Sequence, residues 1–195
     1  SGNAIFVYNC DIIFDSLNLN VNVDVNGIDE EIPVSAINVS YDGEVFRTCS
    51  FVNSNIAINS EDAGFIGTGF AITIKDSTFV MNCAGSAGGG TGIYDAYILE
   101  FTVDSSEMEI ESEHGLWISG SVIITGVSQI KLTATADDGV ALRATDGITV
   151  PEGCDLGGAS IRRIADESTG EGYYTFAVEE DGTWIPAKTA EINCP

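Results

Sequence analysis

The sequence is poor in basic residues and in histidine, and both shortages limit what the protein can do. Its 195 residues include 7 Lys and Arg against 30 Asp and Glu, with a formal net charge of -23. A surface of that charge repels phosphate backbones, so we do not expect nucleic acid as a partner. The single histidine, His114, excludes sites with several histidine ligands and makes any Ser-His-Asp triad depend on one residue.

The chain also lacks long apolar runs and paired cysteines. No apolar run approaches the length needed to span a bilayer, so direct membrane insertion is not expected. The 5 cysteines are widely spaced and form no Cys-x-x-Cys pair. An odd number at such spacing argues against a disulfide framework and against a zinc site. We therefore expect most or all of the thiols to be free.

Helical periodicity is missing as well, and strand periodicity takes its place. Residues 17–26 alternate apolar and polar side chains without a break, which is the pattern of a half-buried β-strand. The same period of two returns along the chain, between turn signals such as Asp138-Gly139 and Asp146-Gly147. The sequence thus predicts an all-β protein.

A short pattern recurs three times and predicts how the strands are arranged. Each copy has a small residue followed two places later by a large apolar one. The pairs are Cys10 with Ile12, Cys49 with Phe51, and Ser77 with Phe79. Equivalent residues of a solenoid stack on one another, so this self-similarity predicts the repeated turns of a β-solenoid. Many short strands are also typical of sandwiches and barrels, but the repeat and the closely spaced strands favour the solenoid.

The segment 73–82, Thr-Ile-Lys-Asp-Ser-Thr-Phe-Val-Met-Asn, is the part of the sequence closest to a β-helix rung. Because of this segment, the chain resembles right-handed parallel β-helix proteins of the pectin-lyase-like class. The resemblance extends over residues 5–156. The resemblance implies a fold and no catalytic residue. We predict a right-handed parallel β-helix over residues 1–158, followed by residues 159–195 as a C-terminal β-hairpin cap or an oligomerisation element.

The C-terminal segment is richer in aromatic residues than the predicted coil. Tyr173, Tyr174, Phe176 and Trp184 fall on a hairpin that is too short to bury them by itself. They must then pack on the last turn of the coil or on another copy of the chain. We expect a homo-oligomer. A trimer is favoured because its three acidic solenoids would point away from one another while its three hairpins bury their aromatic residues against one another.

A row of glutamates forms the strongest charged cluster. Glu107, Glu109, Glu111 and Glu113 alternate with other residues, so in a strand they would project from one side. Such a row either binds calcium through its oxygens or keeps a strand edge soluble. Calcium loops usually curl their ligands around the ion, so the pattern favours the solvated row and leaves calcium as the only cofactor under consideration.

A row of asparagines offers a candidate ligand surface. Asn18, Asn20, Asn22 and Asn26 form a regular polar face that suits hydrogen bonds to a glycan, and Trp117 is available to stack on a sugar ring. The alternative is that outward asparagines only stabilise neighbouring strands.

No residue cluster identifies a reaction, and the two functional hypotheses follow from that. The first is a non-enzymatic structural or adhesive module outside the cell, on a bacterial surface or a virion, whose partner is a glycan or a surface protein. The alternative is a polysaccharide lyase or glycoside hydrolase that acts along the groove of the coil. The resemblance implies that such a lyase would need a basic residue near acids, and Arg143, Arg162 and Arg163 are the candidates.

Overall fold

In the computed structural model, which describes residues 4–24, 35–41, 43, 46–61, 63–83, 91–165 and 170–195, the chain is all-β. Its strands are, in chain order, β1 Ile5–Tyr8, β2 Ile12–Asp15, β3 Asn18–Val23, β4 Ser35–Ser40, β5 Arg47–Val52, β6 Asn55–Ser60, β7 Ala63–Lys75, β8 Thr78–Cys83, β9 Thr91–Asp104, β10 Glu107–Ser112, β11 His114–Ile118, β12 Ser121–Thr125, β13 Gln129–Ala134, β14 Leu142–Ala144, β15 Gly147–Thr149, β16 Ser160–Ala165, β17 Gly172–Glu180, β18 Thr183–Pro186 and β19 Thr189–Asn193.

Parallel pairing organises the first fifteen strands into three ladders. The first ladder is β1-β4-β7-β9-β11-β14 and the second is β2-β5-β7-β9-β12-β15. The third is β3-β6-β8-β10-β13. Strands β7 and β9 are long enough to serve the first ladder with their first half and the second ladder with their second half.

The chain visits the three ladders in the same order on every pass. The first two ladders belong to one 13-stranded sheet and the third to a 6-stranded sheet. These large sheets of mostly parallel strands confirm the prediction of an all-β protein and are compatible with a β-solenoid.

The core lies between the ladders and is built from alternate residues of each strand. On β10, Met108 and Ile110 are buried while Glu107 and Glu109 are exposed, as the period of two predicts. Phe51 is at the centre of this core, where its ring lies 5.0 Å from that of Phe14 and 5.4 Å from that of Phe79. Each turn thereby stacks apolar side chains on those of its neighbours.

Buried serines form a ladder of their own at the corner between the second and third strand ladders. The N–H of Ser54 donates to Ser77 Oγ at 2.9 Å, that of Ser77 to Ser106 Oγ at 3.1 Å, and that of Ser106 to Ser128 Oγ at 3.2 Å. Each hydroxyl then donates to a backbone carbonyl, as Ser77 Oγ does to Lys75 O at 2.6 Å. The corner therefore buries its polar groups with their hydrogen bonds made.

The residue before three of the four corner serines, Ser54, Ser77 and Ser106, turns the chain sharply. Asn53, Asp76 and Ser105 have φ of 48°, 48° and 49°. Asn and Asp tolerate this left-handed conformation better than most residues, because their short polar side chains bond locally. Asn53 thus belongs to a corner.

The predicted alignment of the three sequence repeats is wrong. Cys49 is buried on β5, where its register partners are Ile12 and Ile72. Cys10 is exposed before β2, and Ser77 lies in the serine corner. The repeated unit is therefore a corner serine followed by alternating apolar residues. A small residue stacked in the core is not part of the repeat.

The last strands change direction. Strand β17 pairs antiparallel with β16, β18 and β14. Strand β19 pairs antiparallel with β13 and so lies at the edge of the 6-stranded sheet. The C-terminal segment therefore continues both sheets beyond their final parallel strands.

One disulfide joins this segment to the chain that precedes it. Cys154 and Cys194 are bonded, with their Cα atoms 4.3 Å apart. The expectation that most or all thiols are free is wrong for this pair, because antiparallel pairing of Asp155 with Asn193 brings distant cysteines together. Cys10, Cys49 and Cys83 are not disulfide-bonded, and burial raises the pKa of the Cys49 thiol to about 12.

Candidate ligand-binding cleft

A cleft of about 510 Å³ lies where the C-terminal strands meet the last parallel turns. Strands β11 and β14 of the parallel ladder and the C-terminal strands β16, β17 and β18 supply its lining. Its volume falls within the range of small-molecule sites. Its lining combines aromatic, aliphatic and a few charged side chains, among them His114, Trp117, Asp138, Arg143, Ile164, Tyr173, Trp184 and Ile185.

Arg143 lies between two aromatic rings in this cleft. Trp117 and Arg143 are register partners on neighbouring parallel strands, so both side chains project on the same side of the sheet. The Arg143 Cζ atom lies 4.7 Å from the centre of the Trp117 ring and 4.3 Å from that of Tyr173. A guanidinium stacked on two rings holds its charge in a fixed place.

Trp184 also lines the cleft, and a second arginine stacks on its ring. It lies on β18 and is half-buried, and the Arg162 Cζ atom lies 4.0 Å from the centre of its ring. Antiparallel pairing of β17 with both β16 and β18 sets this contact, because it places the two outer strands on either side of β17. The two cleft tryptophans are therefore each stacked against a guanidinium.

His114 and Asp138 complete the polar part of the lining. The His114 ring lies edge-on to Trp117, with ring centres 6.1 Å apart. The Ser112 hydroxyl donates to the His114 carbonyl at 2.8 Å and anchors the backbone there. The His114 side chain is thus half-buried beside an aromatic ring.

Several groups with displaced pKa values lie on or beside the parallel strands. A backbone hydrogen bond from Thr48 lowers the pKa of Asp11, and a hydrogen bond from Lys75 lowers that of Asp104. The hydrogen bonds that Lys75 and Lys131 donate to Asp104 and Glu109 raise the pKa values of the two lysines.

The four aromatic residues predicted to support oligomerisation lie in different surroundings. Phe176 is 1% exposed and belongs to the core of its own chain. Tyr173 is buried against Arg143, and Trp184 lines the cleft. Tyr174 is half-buried on β17, opposite Ala144. The hairpin thus packs on the last turn of its own chain, which was one of the two alternatives.

The glutamate row follows the outer face of the 6-stranded sheet. Glu107, Glu109 and Glu111 are exposed on β10, whereas Glu113 lies beyond the end of that strand. Glu109 Oε1 accepts a hydrogen bond from Lys131 Nζ at 2.7 Å, and this contact raises the pKa of Lys131. Among the residues that the structure describes, no group of three or more His, Cys, Asp or Glu side chains is arranged to hold a metal ion.

The asparagine row and Trp117 do not share a surface. Asn18, Asn20 and Asn22 are exposed on β3, the edge strand of the 6-stranded sheet, whereas Trp117 lies in the other sheet. Asn59 donates to Asn22 Oδ1 at 3.0 Å, so this part of the row links neighbouring strands. Asn26 lies outside the described residues.

Sequence reasoning missed the cleft because its parts come from five strands. It considered Arg143 and Arg162 only as bases near acids, and it assigned Trp117 to one surface and Trp184 to another. The available signal was that both tryptophans and three of the four arginines follow residue 113, in a sequence with 7 Lys and Arg. Register and antiparallel pairing then decide which of them touch.

Comparison with protein families, with curated proteins and with solved structures finds none that matches this chain. In the part of the chain that the structure describes, no helix is long and apolar enough to cross a membrane.

Proposed function

We propose that this chain is a right-handed parallel β-helix that acts as a rigid, non-enzymatic module outside the cell and binds carbohydrate in its C-terminal cleft. The fold part of the proposal is supported by three parallel ladders that the chain visits in one order. Repeated stacking of this kind makes a stiff rod, and a rod suits a module that positions a binding site at a distance from its attachment.

The observation that carries the binding proposal is the pairing of aromatic rings with guanidinium groups in the cleft. Trp117 and Trp184 both line the cleft, each beside an arginine. Sugars present flat C–H faces, which pack on aromatic rings, and rims of hydroxyl groups, which accept hydrogen bonds from guanidinium groups. A cleft with both kinds of group suits a saccharide better than it suits a purely apolar ligand.

The extracellular location, on a bacterial surface or a virion, remains part of the proposal. The Cys154–Cys194 disulfide supports it, because disulfides persist in oxidising environments. Binding through several copies would strengthen adhesion, and the expected homo-oligomer, with a trimer favoured, would supply them. Light scattering on the full chain tests this, and a monomer would remove the multivalent part of the proposal. Phe176 is buried, so any interface at this end would use Tyr174 and exposed neighbours.

A polysaccharide lyase or glycoside hydrolase remains the second candidate, because the cleft does contain Arg143, His114 and Asp138. A lyase of the expected type needs a basic residue flanked by several acids. Asp138 is the single carboxylate in the described lining of the cleft. Binding without cleavage is therefore the proposal that the geometry supports better.

A glycan array followed by titration of the hits tests the proposal. The Trp184→Ala and Trp117→Ala variants should each weaken binding at least about tenfold, equivalent to about 1.4 kcal/mol, through loss of ring stacking. Phe46→Ala is the matched control, since Phe46 is 55% exposed and lies outside the cleft. An array without hits would contradict the proposal. Release of reducing sugar from a bound glycan would instead support the enzyme.

A further inference from the structure

Two aromatic rings on β1 are exposed on the outer face of the first ladder. Phe6 and Tyr8 are 61% and 50% exposed, whereas Val7 between them is buried. The centres of the two rings lie 6.3 Å apart and their planes are inclined by 12°, so the exposed faces have nearly the same orientation. Both rings therefore offer apolar surface to a ligand.

Each of these rings has a polar neighbour on the adjacent strand. Phe6 is the register partner of Asn38 on β4, and Tyr8 is the register partner of Ser40. Register partners on parallel strands project on the same side of the sheet, so the four side chains share the outer face. The Ser40 hydroxyl donates to Asn38 Oδ1 at 2.6 Å. This bond uses the acceptor end of the amide, so the Nδ2 group can donate to a ligand while the Ser40 oxygen can accept from one.

The chemistry of these four side chains favours a sugar over a protein as the ligand. A sugar combines a flat C–H face, which packs on an aromatic ring, with hydroxyl groups that donate and accept hydrogen bonds. Here each exposed ring lies one strand spacing, about 4.8 Å, from a polar side chain. A second copy of the chain would instead bring together two molecules of net charge -23, which opposes association through two rings. Since none of the four side chains is charged, a neutral sugar fits them better than an acidic one.

The exposed rings lie on the same side of the first ladder as the cleft. Five successive register partners lead across the parallel strands from one to the other, namely Phe6, Asn38, Ile66, Tyr94 and Trp117. Neighbouring strands lie about 4.7–4.9 Å apart, so the four spacings place Phe6 about 19 Å from Trp117. A glycan of several sugars can span this distance, and its binding at the second place would then be intramolecular.

We infer that Phe6, Tyr8, Asn38 and Ser40 form a second carbohydrate site, the β1 site, which binds a neutral sugar. The two rings supply the stacking surface, and the amide and hydroxyl groups bind the rim of the sugar. The inference extends the proposed carbohydrate binding to a place outside the cleft. A glycan that reaches from the cleft to the β1 site occupies both.

Titration of the full chain with neutral oligosaccharides tests the inference. The probes are cello-, xylo-, manno- and malto-oligosaccharides from the disaccharide to the hexasaccharide, and NMR shifts of the backbone amides report where each probe binds. We expect a bound disaccharide to shift amides of β1 and β4 as well as amides around the cleft. The hexasaccharide of the same sugar should bind at least about tenfold more tightly than the disaccharide, because one chain spans both sites.

Substitutions in each site, with a matched control, assign the shifts. Phe6→Ala and Tyr8→Ala should each remove most of the shifts on β1 and β4 and the gain with chain length, and leave the shifts around the cleft. Phe6→Trp keeps a ring and should retain both effects. Trp184→Ala should remove the cleft shifts and leave those on β1. Ile13→Ala is the control, because Ile13 is 69% exposed but lies on β2 of the second ladder.

The outcomes distinguish the inference from the proposed function. Shifts confined to the cleft, or shifts on β1 that survive in Phe6→Ala, would overturn the inference and leave the proposed function in place. Shifts confined to β1 and β4 would support the inference and overturn the cleft as a binding site. Absence of shifts on β1 and β4 with all of these probes would overturn the inference, whatever the cleft binds.

Light scattering without sugar tests the other occupant of the rings, a second copy of the chain. We expect the wild-type chain and Phe6→Ala to have the same mass in solution. Association that Phe6→Ala abolishes and Ile13→Ala preserves would show that the rings bind another copy, and it would overturn the inference.

Discussion

The two ends of the parallel ladders are finished in different ways. At the first turn, Phe14, Leu19 and Val21 point inward but are only half-buried, and within the described structure β3 forms the edge of its sheet. At the last turn, antiparallel strands cover the ladders, and Phe176 and Ile192 are at most 1% exposed. A parallel ladder can accept another strand at an open edge, and an element of a different arrangement that occupies the edge prevents this.

The cleft exists because of the second kind of ending. Antiparallel β17 brings Tyr173 over Arg143, and β18 brings Trp184 into the lining of the cleft. If the parallel ladders continued with another turn, that turn would present the same outer face as the turns before it. The difference between the ends shows that here a covering element also creates the surface on which we propose function.

Removal of the C-terminal element should have the largest effect on stability. A chain that ends at Gly158 loses the strands that pair with β13 and β14, and the core at Leu132 and Leu142 becomes exposed. We expect it to aggregate, as measured by light scattering and circular dichroism. A chain that begins at Ser35 is the matched deletion at the other end. We expect it to stay folded, because it removes β1, β2 and β3 and leaves β4, β5 and β6 as the new edge strands. A soluble, folded chain ending at Gly158 would show that the ends do not differ in this way.

Equivalent phenylalanines on adjacent turns test the burial difference directly. Phe14 and Phe51 are register partners with stacked rings, but Phe51 is fully buried and Phe14 is not. Phe51→Ala should lower the free energy of unfolding by about 3–5 kcal/mol. Phe14→Ala should cost about half as much, because less apolar surface is lost from the interior. Chemical denaturation measures both, and equal losses would mean that the first turn is covered in solution.

Opening the disulfide should be the next largest effect. Cys154 and Cys194 are separated by 40 residues, and closing a loop of that size stabilises a folded chain by about 4 kcal/mol. We expect the Cys154→Ser variant to melt at a lower temperature and to bind glycan more weakly, since the bond holds the end of the segment that builds the cleft. Cys10→Ser is the control and should leave both measurements unchanged, as Cys10 is exposed and free.

A corner serine should contribute less than a core ring. Ser77→Ala leaves the buried N–H of Ser54 without its acceptor, which should cost about 1–3 kcal/mol. Ser50→Ala, on the outer side of β5 between buried Cys49 and Phe51, should be close to neutral. Thermal melts of the two variants give the comparison. If both lose the same amount, the serine ladder adds nothing specific to the corner.

The smallest effect should come from metal removal. We expect a chelator to leave the melting temperature unchanged at constant ionic strength, because Glu109 already has Lys131 as its partner and the glutamates lie along an open face. A drop that calcium restores, and that Glu109→Gln abolishes, would establish a calcium site on this face.

Strand identity could be predicted from the sequence, but register could not. The alternation in β3 and β10 is visible in the sequence, and both strands lie where it indicates. Leu99 shows the limit of this approach. Its spacing from Phe101 predicts an inward side chain, yet Leu99 is 38% exposed because the ladder between β7 and β9 shifts register at this residue, which lies between the paired Ile98 and Glu100.

The sequence by itself determined the period of the strands, the polar turns and the acidic surface, because these depend on neighbouring residues and on composition. The tertiary structure decided which turns stack, where the chain is crosslinked and which side chains meet in the cleft. The serine corner explains why. Its hydrogen bonds join residues 23, 29 and 22 positions apart, so no constant spacing marks the repeat. Trp117, Arg143, Tyr173 and Trp184 meet only because parallel register and antiparallel covering bring them to the same place.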